Sequence, residues 1–219
     1  MVTFNKWRSL ADGSEISAIP DSVEYQFAAS SASNGSDWTS EDGSLTLSVI
    51  GSPTIQSGAL NGEDTVYYDG ADDGHRGTNV NISQIFGIVA VYQYPTTGQG
   101  SSRGIGDTNS TRAYLDPDGV NSSFEMSAGN YIGNAATDTN WHIHSGYFAG
   151  SNSENRLDGS TNVQGDAGTN SLEEIDVAYN QNGTTYTELE VAEFWILANP
   201  SLQEITDSEQ ILNDKYAVY

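Results

Sequence analysis

The chain has 219 residues, of which 30 are acidic and 7 are basic, so its formal net charge is −23 and its sequence pI is about 4.1. Repulsion among so many carboxylates is screened in concentrated salt, where the Debye length falls to roughly 3 Å near 1 M. We therefore expect a protein that works in brine, with an acidic secreted protein as the alternative. The charge argues against nucleic acid and anionic lipid as partners.

The composition favours strands joined by turns, because glycine accounts for 23 residues and tyrosine for 12 while apolar runs are short. A chain of this length fits one sandwich or barrel with a single core. Cysteine is absent, which excludes disulfides and cysteine-ligated zinc. The longest apolar run, residues 85–92, is too short to span a bilayer, so we expect no membrane insertion.

The N-terminal segment differs from the rest, since it holds Lys6 and Arg8 and ends at Pro20. No apolar run follows the two basic residues, so they do not predict a secretory signal. We interpret residues 1–20 as an arm for assembly or anchoring, with a first edge strand or a tail as the alternative. The predicted domain comprises residues 21–219.

In the first half of this domain, Tyr25 and Phe27 alternate with polar residues and predict the first strand. Residues 85–92 are apolar at successive positions, which indicates a central strand covered on both faces. Residues 97–112 are rich in Gly and Ser and have no period. They predict a long exposed loop, and such loops often carry binding sites.

Residues 139–163 predict a strand followed by a hairpin. Alternation over residues 141–147 places the apolar side chains on one face, which we expect in the core, and His142 and His144 on the other, which we expect in solvent. Asp158-Gly159 is a strong signal for the turn of the hairpin.

The end of the chain predicts its helix. Residues 189–197 predict a last buried strand, and two capping boxes follow it, Ser201 to Glu204 and Thr206 to Glu209. The helix is expected to start at either box.

Three stretches resemble laminin-G-like domains of the concanavalin A-like lectin/glucanase superfamily. They are Trp141–Phe148 followed by Leu157-Asp158-Gly159, residues 58–70 ending in an aromatic, Asp and Gly, and residues 191–216. Their order extends the resemblance over roughly residues 25–216. It implies an all-β, two-sheet antiparallel jelly-roll sandwich with a short C-terminal helix.

Residues 188–193 are similar to the E-x-D-x-x-E strand of glycoside hydrolases that share this fold, in which paired carboxylates cleave the sugar linkage. Here the middle residue is Glu190, and the stretch lies near the C-terminus. We therefore expect no enzyme, and a glycoside hydrolase that uses Glu188 and Glu190 is the alternative.

Two oxygen-rich groups are candidate metal ligands. The first is Asp69, Asp72 and Asp73, and the second is Asp116, Asp118 and Glu125. The resemblance implies one structural Ca²⁺ without fixing its site, and turn chemistry alone is the alternative explanation. We expect no other cofactor. His142 and His144, with His75 or a carboxylate, are a further metal-binding alternative.

Sugar recognition needs aromatic faces and planar hydrogen-bonding groups. Six candidates of this kind are Tyr94, Arg103, Asn109, Tyr131, His142 and His144.

Charge, arm and lectin-like body together resemble a surface component of a haloarchaeal tailed virus, such as a fibre, spike or turret. The resemblance implies a non-catalytic module that attaches to host glycan or glycoprotein. A homo-oligomer would display this module in several copies, and the arm would contact other virion proteins. A structural virion protein without sugar binding and a cellular adhesion module are the alternatives.

Overall fold

The computed structural model describes residues 18–96, 104–108, 112–116, 123–180 and 185–219. Within these ranges the chain forms two eight-stranded antiparallel sheets, a two-stranded hairpin and a C-terminal α-helix. The predicted all-β jelly-roll sandwich with a short C-terminal helix is confirmed. Most of the predicted N-terminal arm lies outside the described residues, so its role stays a prediction.

The strands of the first half are β1 (Val23–Ala28), β2 (Trp38–Thr39), β3 (Thr46–Ile50), β4 (Thr54–Leu60), β5 (Glu63–Asp69), β6 (Gly74–Gly77), β7 (Phe86–Gln93), β8 (Ile105–Asp107) and β9 (Ala113–Asp116). The second half contains β10 (Ser123–Ser127), β11 (Tyr131–Ala136), β12 (Trp141–Phe148), β13 (Ser153–Leu157), β14 (Ser160–Gly165), β15 (Ile175–Val177), β16 (Tyr179–Asn180), β17 (Thr185–Tyr186), β18 (Glu188–Ala198) and the helix α1 (Leu202–Tyr216).

The first sheet has the strand order β14-β13-β12-β7-β18-β5-β4, and β1 pairs with the C-terminal part of β18. The second sheet has the order β11-β10-β9-β8-β15-β6-β3-β2. Strands β16 and β17 form the separate hairpin.

The two sheets pack face to face over a core rich in aromatic rings. Phe27 stacks on Phe194 with ring centroids 4.8 Å apart, and Trp38 meets both rings edge-on. Phe86 and Phe148 stack at 4.4 Å in the same core. Because successive residues of a strand point to opposite faces, these inward side chains fix which residues lie on the outer face of each sheet.

Strand β7 is the predicted central strand, and the structure confirms it. It lies between β12 and β18 and is buried from Phe86 to Tyr92. Ile88 faces the second sheet, whereas Val89 and Val91 pack beneath α1. Cover on both sides explains why its sequence has no polar alternation.

The predicted turn at Asp158-Gly159 joins β13 to β14. Both residues have positive φ, 48° and 72° respectively. This backbone twist matches that of the flanking strands and is accessible to Asp and Gly at low steric cost. The hairpin prediction is therefore confirmed.

Helix α1 begins at the first of the two capping boxes. The Ser201 hydroxyl accepts a hydrogen bond from the Glu204 backbone N–H, and the Glu204 carboxylate accepts one from the Ser201 N–H. Ile205 and Leu212 then bury the apolar stripe against the first sheet. In the described part of the chain, no helix is long and apolar enough to cross a membrane.

The expectation that the histidine face of β12 lies in solvent was wrong. His144 is 0% exposed and packs edge-on against Tyr92 and Phe124 in the inter-sheet core. His142 lies beside the same Phe124 ring. Ile143 points the other way, beneath α1. Both faces of β12 are covered, so alternation of polarity does not reveal which one meets water.

The predicted loop over residues 97–112 was also partly wrong, because it contains β8. Ile105 and Gly106 pair with β15 on one side and β9 on the other. Sheet pairing on both edges overrides the weak strand propensity of this glycine-rich segment. The rest of the predicted loop, apart from residues 104, 108 and 112, lies outside the described residues.

Candidate functional site

A row of outward-facing residues crosses the outer face of the second sheet. Cross-strand pairing sets its order as Ser48, Arg76, Asp176, Gly106, Tyr114, Ser127 and Tyr131, on strands β3, β6, β15, β8, β9, β10 and β11. Sequence-distant positions meet here because the antiparallel register brings one residue from each strand into line. We call this row and its immediate neighbours the outer face.

Arg76 lies in this row between Ser48 on β3 and Asp176 on β15. Its Nη2 donates to Glu174 Oε2 at 2.6 Å, and its Nε lies 3.7 Å from Asp176 Oδ1. The side chain of Arg76 is 27% exposed, that of Glu174 is 14% exposed and that of Asp176 is fully buried. The guanidinium therefore pairs directly with Glu174 and more distantly with Asp176, and the Arg76 side chain stays partly exposed.

Asp176 is the most perturbed carboxyl group of this cluster. Burial raises its pKa to about 7, although a hydrogen bond from the Thr108 hydroxyl and the positive charge of Arg76 act in the opposite direction. Repulsion by Glu174 adds to the increase. Burial thus favours the protonated form of Asp176 at pH values where an exposed aspartate is fully ionised.

A shallow depression of about 410 Å³ lies on the hydroxyl side of Arg76. It is lined by Thr46, Ser48, Ile50, Arg76, Thr78 and Asn79. Its walls come from β3, β6 and the residues after β6, so the sheet register holds them in place. The lining combines three hydroxyl groups, one amide, one guanidinium and one aliphatic side chain. Such a surface can donate and accept hydrogen bonds at several points.

Tyr179 of β16 lies near Arg76, and Tyr186 of β17 packs against Tyr179. The rings of Tyr179 and Tyr186 lie 5.5 Å apart, and both side chains are half-buried. Tyr179 packs over Gly74, where an added Cβ would lie 2.8 Å from the tyrosine Cβ. Gly74 thus allows an aromatic ring to approach the outer face next to the guanidinium.

A second pair of tyrosines lies at the opposite end of the row. The Tyr114 hydroxyl donates to the Tyr131 hydroxyl at 2.9 Å, and Tyr131 is 40% exposed. In the row, Gly106 lies between this pair and Asp176. Its φ is +133°, and an added Cβ would lie 2.4 Å from the Ala113 carbonyl oxygen. Any other residue at this position would displace the neighbouring strand.

Among the sugar-binding candidates, Tyr131 lies on the outer face, whereas Tyr94 and His144 do not. Tyr94 is 1% exposed and belongs to the inter-sheet core, so the expectation that it is accessible was wrong. Arg103 and Asn109 lie outside the described residues.

The two strand histidines do not converge on a common metal position. The ring nitrogens of His142 lie 2.8 Å from Asp158 Oδ2 and 2.9 Å from Asp138 Oδ1. Those of His144 lie 2.6 Å from the Tyr92 hydroxyl and 3.2 Å from Asn155 Oδ1. Each ring thus uses both nitrogens within its own network, which corrects the idea of a shared ion.

His75 follows the same pattern. Its ring nitrogens lie 2.9 Å from the Tyr68 hydroxyl and 3.0 Å from the Ser36 carbonyl oxygen. It is buried on β6, so it does not complete a site with the β12 histidines.

The candidate calcium ligands fall in two places. Asp69, Asp72 and Asp73 bring carboxylate oxygens within 4.8 Å of one another, a hard-oxygen set of the kind calcium takes. Asp73 also accepts a hydrogen bond from the Ser52 N–H at 2.6 Å, so turn chemistry accounts for its position. Calcium at this cluster stays a prediction.

Asp116 and Glu125 are direct cross-strand partners on β9 and β10, and both are buried. They lie on the outer face, on the Tyr114 side. Asp118 lies outside the described residues, so calcium at this second group stays a prediction.

The carboxylates of the glucanase-like strand lie on the outer side of the first sheet. Glu188 accepts a hydrogen bond from the Tyr67 hydroxyl at 2.8 Å. Glu190 accepts from the Thr65 hydroxyl and the Gln93 amide, and it is 7% exposed. Both carboxylates are thus hydrogen-bonded to side chains of the neighbouring strands β5 and β7.

The residues around Arg76 were missed by sequence reasoning. One signal was present, because Arg76 is among only seven basic residues in a chain with 30 acidic ones. An isolated cation in such a chain usually has a specific partner. The hydroxyl residues that surround it carry no local pattern.

No protein-family model matches the chain, and no curated protein matches its sequence. Solved structures are similar in fold. A sialidase of Trypanosoma rangeli in complex with sialic acid aligns with a TM-score of 0.66 at 12% identity, over 95% of this chain and 36% of that chain. The present chain therefore spans little more than a third of the sialidase.

Two further structures are similar over most of this chain. One is domain 4 of AbnA, a GH43 extracellular arabinanase from Geobacillus stearothermophilus, in complex with arabinotriose. It has a TM-score of 0.64 at 9% identity, over 85% of this chain and 97% of that one. The other is the receptor-binding domain of botulinum neurotoxin type G, with a TM-score of 0.63 at 11% identity, over 88% and 52% of the two chains. At these identities the likeness shows the sandwich fold.

Proposed function

We propose that this domain is a non-catalytic carbohydrate-binding module whose sugar site is the depression beside Arg76. The observation that carries the proposal is its lining. Hydroxyl and amide groups both donate and accept, as sugar hydroxyls do, and the guanidinium adds directed donors. The Tyr179–Tyr186 pair offers an aromatic surface for the apolar face of a sugar ring.

The structural neighbours support this proposal. The arabinanase domain was solved with arabinotriose and the sialidase with sialic acid, and the neurotoxin domain is named for receptor binding. These similarities concern the sandwich scaffold. The ligand site proposed for this chain rests on its own residues around Arg76.

The absence of catalysis is part of the proposal. A retaining glycosidase needs two carboxyl groups about 5 Å apart that can reach the same sugar linkage. The Glu188 and Glu190 carboxylates are instead engaged by Tyr67, Thr65 and Gln93. Release of reducing sugar from a bound polysaccharide, lost in Glu188→Gln or Glu190→Gln, would establish the hydrolase alternative.

The test is a glycan array followed by calorimetry on any glycan that binds. The double variant Ser48→Ala/Thr78→Val removes two exposed hydroxyls from the depression with little change in shape. We expect affinity to fall about tenfold or more, since each lost hydrogen bond costs about 0.5–1.5 kcal/mol.

The matched control makes the same two changes elsewhere, as Thr54→Val/Ser57→Ala on the exposed strand β4. It should bind as the wild type does. Equal loss of affinity in both variants would overturn the proposed site. An array without any binding would overturn the proposed function.

We also propose that the module acts outside a cell in high salt, displayed in several copies. The support is the net charge of −23, which favours brine, and the gain of about a hundredfold or more that linked weak sites give. Attachment on a virion surface, contact with other virion proteins through the arm, and a host glycoprotein as the target stay predictions from the sequence.

A further inference from the structure

We infer that the depression beside Arg76 selects uncharged sugars and rejects sugars that carry carboxylate or sulfate groups. The inference rests on the proposed function and adds the chemical class of the ligand. It follows from how the positive charge of the site is already distributed.

The guanidinium of Arg76 has two acidic neighbours of its own. Glu174 holds one nitrogen at 2.6 Å, and Asp176 lies 3.7 Å from another. A ligand anion would have to displace the Glu174 carboxylate or approach within a few ångströms of it. Two like charges at such a distance repel each other strongly where protein excludes part of the solvent. Arg76 therefore serves the ligand as a hydrogen-bond donor without an unbalanced positive charge.

The other basic side chains of the described residues do not bring a positive charge to the depression. Among residues 18–96, 104–108, 112–116, 123–180 and 185–219, the basic side chains are Arg76, Arg112, Arg156 and Lys215. Arg156 and Lys215 are ion-paired with buried glutamates on the helix side of the first sheet. Arg112 adjoins β9, three strands from β6 and thus about 14 Å away at the usual strand spacing.

The remaining lining suits a neutral polyol. Thr46, Ser48 and Thr78 offer hydroxyl groups, Asn79 an amide and Ile50 an apolar contact. Each of these hydroxyl and amide groups can donate a hydrogen bond to a sugar hydroxyl or accept one from it. The surrounding protein field is negative, because the chain carries a net charge of −23. The paired charge of Arg76 and the negative field of the whole protein thus both disfavour an anionic ligand.

The experiment compares matched glycans that differ only by a charge. Suitable probes are oligogalactose against oligogalacturonate, and N-acetyllactosamine against its sialylated and sulfated forms. We expect the wild type to bind at least one neutral member about tenfold or more tighter than its anionic partner.

The variant Glu174→Gln should free the charge of Arg76 while keeping a hydrogen-bond acceptor. We expect it to reduce the preference for the neutral member about tenfold. Glu173→Gln is the matched control, since Glu173 is the exposed preceding residue and the net charge changes equally. It should leave the preference within about twofold of the wild type.

The outcomes separate the two proposals. An array on which neither neutral nor anionic probes bind overturns the carbohydrate-binding function. Binding in which anionic members equal or exceed their neutral partners overturns the selectivity inference and leaves that function standing. Equal preferences in Glu174→Gln and Glu173→Gln also overturn the inference, because the charge pairing of Arg76 would then not set the selectivity.

Discussion

Arg76 on β6 and Asp176 on β15 lie directly opposite each other in the second sheet, with Arg76 Nε 3.7 Å from Asp176 Oδ1. An arginine at this distance ordinarily lowers the pKa of a carboxyl group. Here burial outweighs it, and the pKa of Asp176 rises to about 7. The ion pair thus compensates only part of the cost of burying this carboxylate.

Replacement of Asp176 by Asn should therefore stabilise the protein at alkaline pH. The pKa of Asp176 rises from 3.8 to about 7 on folding, so the folded state binds more protons in this window. Stability consequently falls as pH rises from about 4 to about 7. Near pH 8, we expect the free energy of unfolding of Asp176→Asn to exceed that of the wild type by on the order of 2–4 kcal/mol.

Urea unfolding near pH 5 and pH 8 measures this difference, with Asp21→Asn as an exposed control that removes the same charge. Arg76, Glu174 and Thr108 are the groups that face Asp176 and are unchanged in both variants. A variant and a wild type with parallel pH profiles would contradict the predicted burial cost.

The β12 histidines should titrate differently. Burial lowers the pKa of His144 to about 3, so its ring should stay neutral from about pH 8 down to about pH 5. Burial also lowers the pKa of His142, but its hydrogen bonds to Asp158 and Asp138 outweigh that and raise it above 6.5. Imidazole chemical shifts followed by NMR across this range should show one titrating and one silent ring.

These shifts have opposite effects on stability. The low pKa of His144 means that stability is lost as pH falls from 6.5 towards about 3. The raised pKa of His142 contributes stability below 6.5 that is lost as pH rises through its folded pKa. Titration of the His144 ring near 6.5 would show that the ring is accessible and that its burial against Tyr92 is wrong.

Glu209 on α1 should be essential for docking of the helix. It accepts two hydrogen bonds from Arg156, at 2.9 and 3.0 Å, and one from the Ser145 hydroxyl, and it is 1% exposed. Glu209→Gln keeps the size of the side chain but leaves Arg156 with one fewer counter-charge in a buried site. We expect a loss of about 3–5 kcal/mol in unfolding free energy.

Asp214→Asn is the matched control for Glu209, because it removes one charge from the exposed side of the same helix. Its effect should stay within about 0.5 kcal/mol. Chemical denaturation of both variants provides the comparison, and similar losses would mean that net charge, and not the buried pair, determines the result.

Salt should stabilise the folded protein. With a net charge of −23, repulsion between surface carboxylates falls as the Debye length shrinks from about 10 Å at 0.1 M to about 3 Å at 1 M. We expect the midpoint of thermal unfolding to rise by about 5–10 °C between these conditions in KCl, equivalent to a few kcal/mol for a chain of this size. A midpoint independent of KCl would contradict the proposed adaptation to brine.

Several elements could be predicted from local sequence because their physical causes are local. Asp158-Gly159 accepts the positive φ values of its turn, and Ser201 with Glu204 satisfies the first turn of α1. The apolar run of β7 required cover on both faces, and the structure supplies it. The order of such signals was sufficient for the sandwich and its C-terminal helix.

The candidate site could not be predicted in this way. Ser48, Arg76, Asp176 and Tyr179 are separated by up to 131 positions, and only strand register brings them together. Likewise, the polarity of His144 suggested a solvated face, but partners on other strands satisfy its ring nitrogens in the core.

The sequence by itself determined most of the strands, the turn at Asp158-Gly159, the presence of a C-terminal helix and the excess of negative charge, since each depends on neighbouring residues or on composition. Tertiary structure alone decided which polar side chains are buried and which surround Arg76. The physical reason is that burial, pairing and pKa depend on atoms that distant strands bring within a few ångströms.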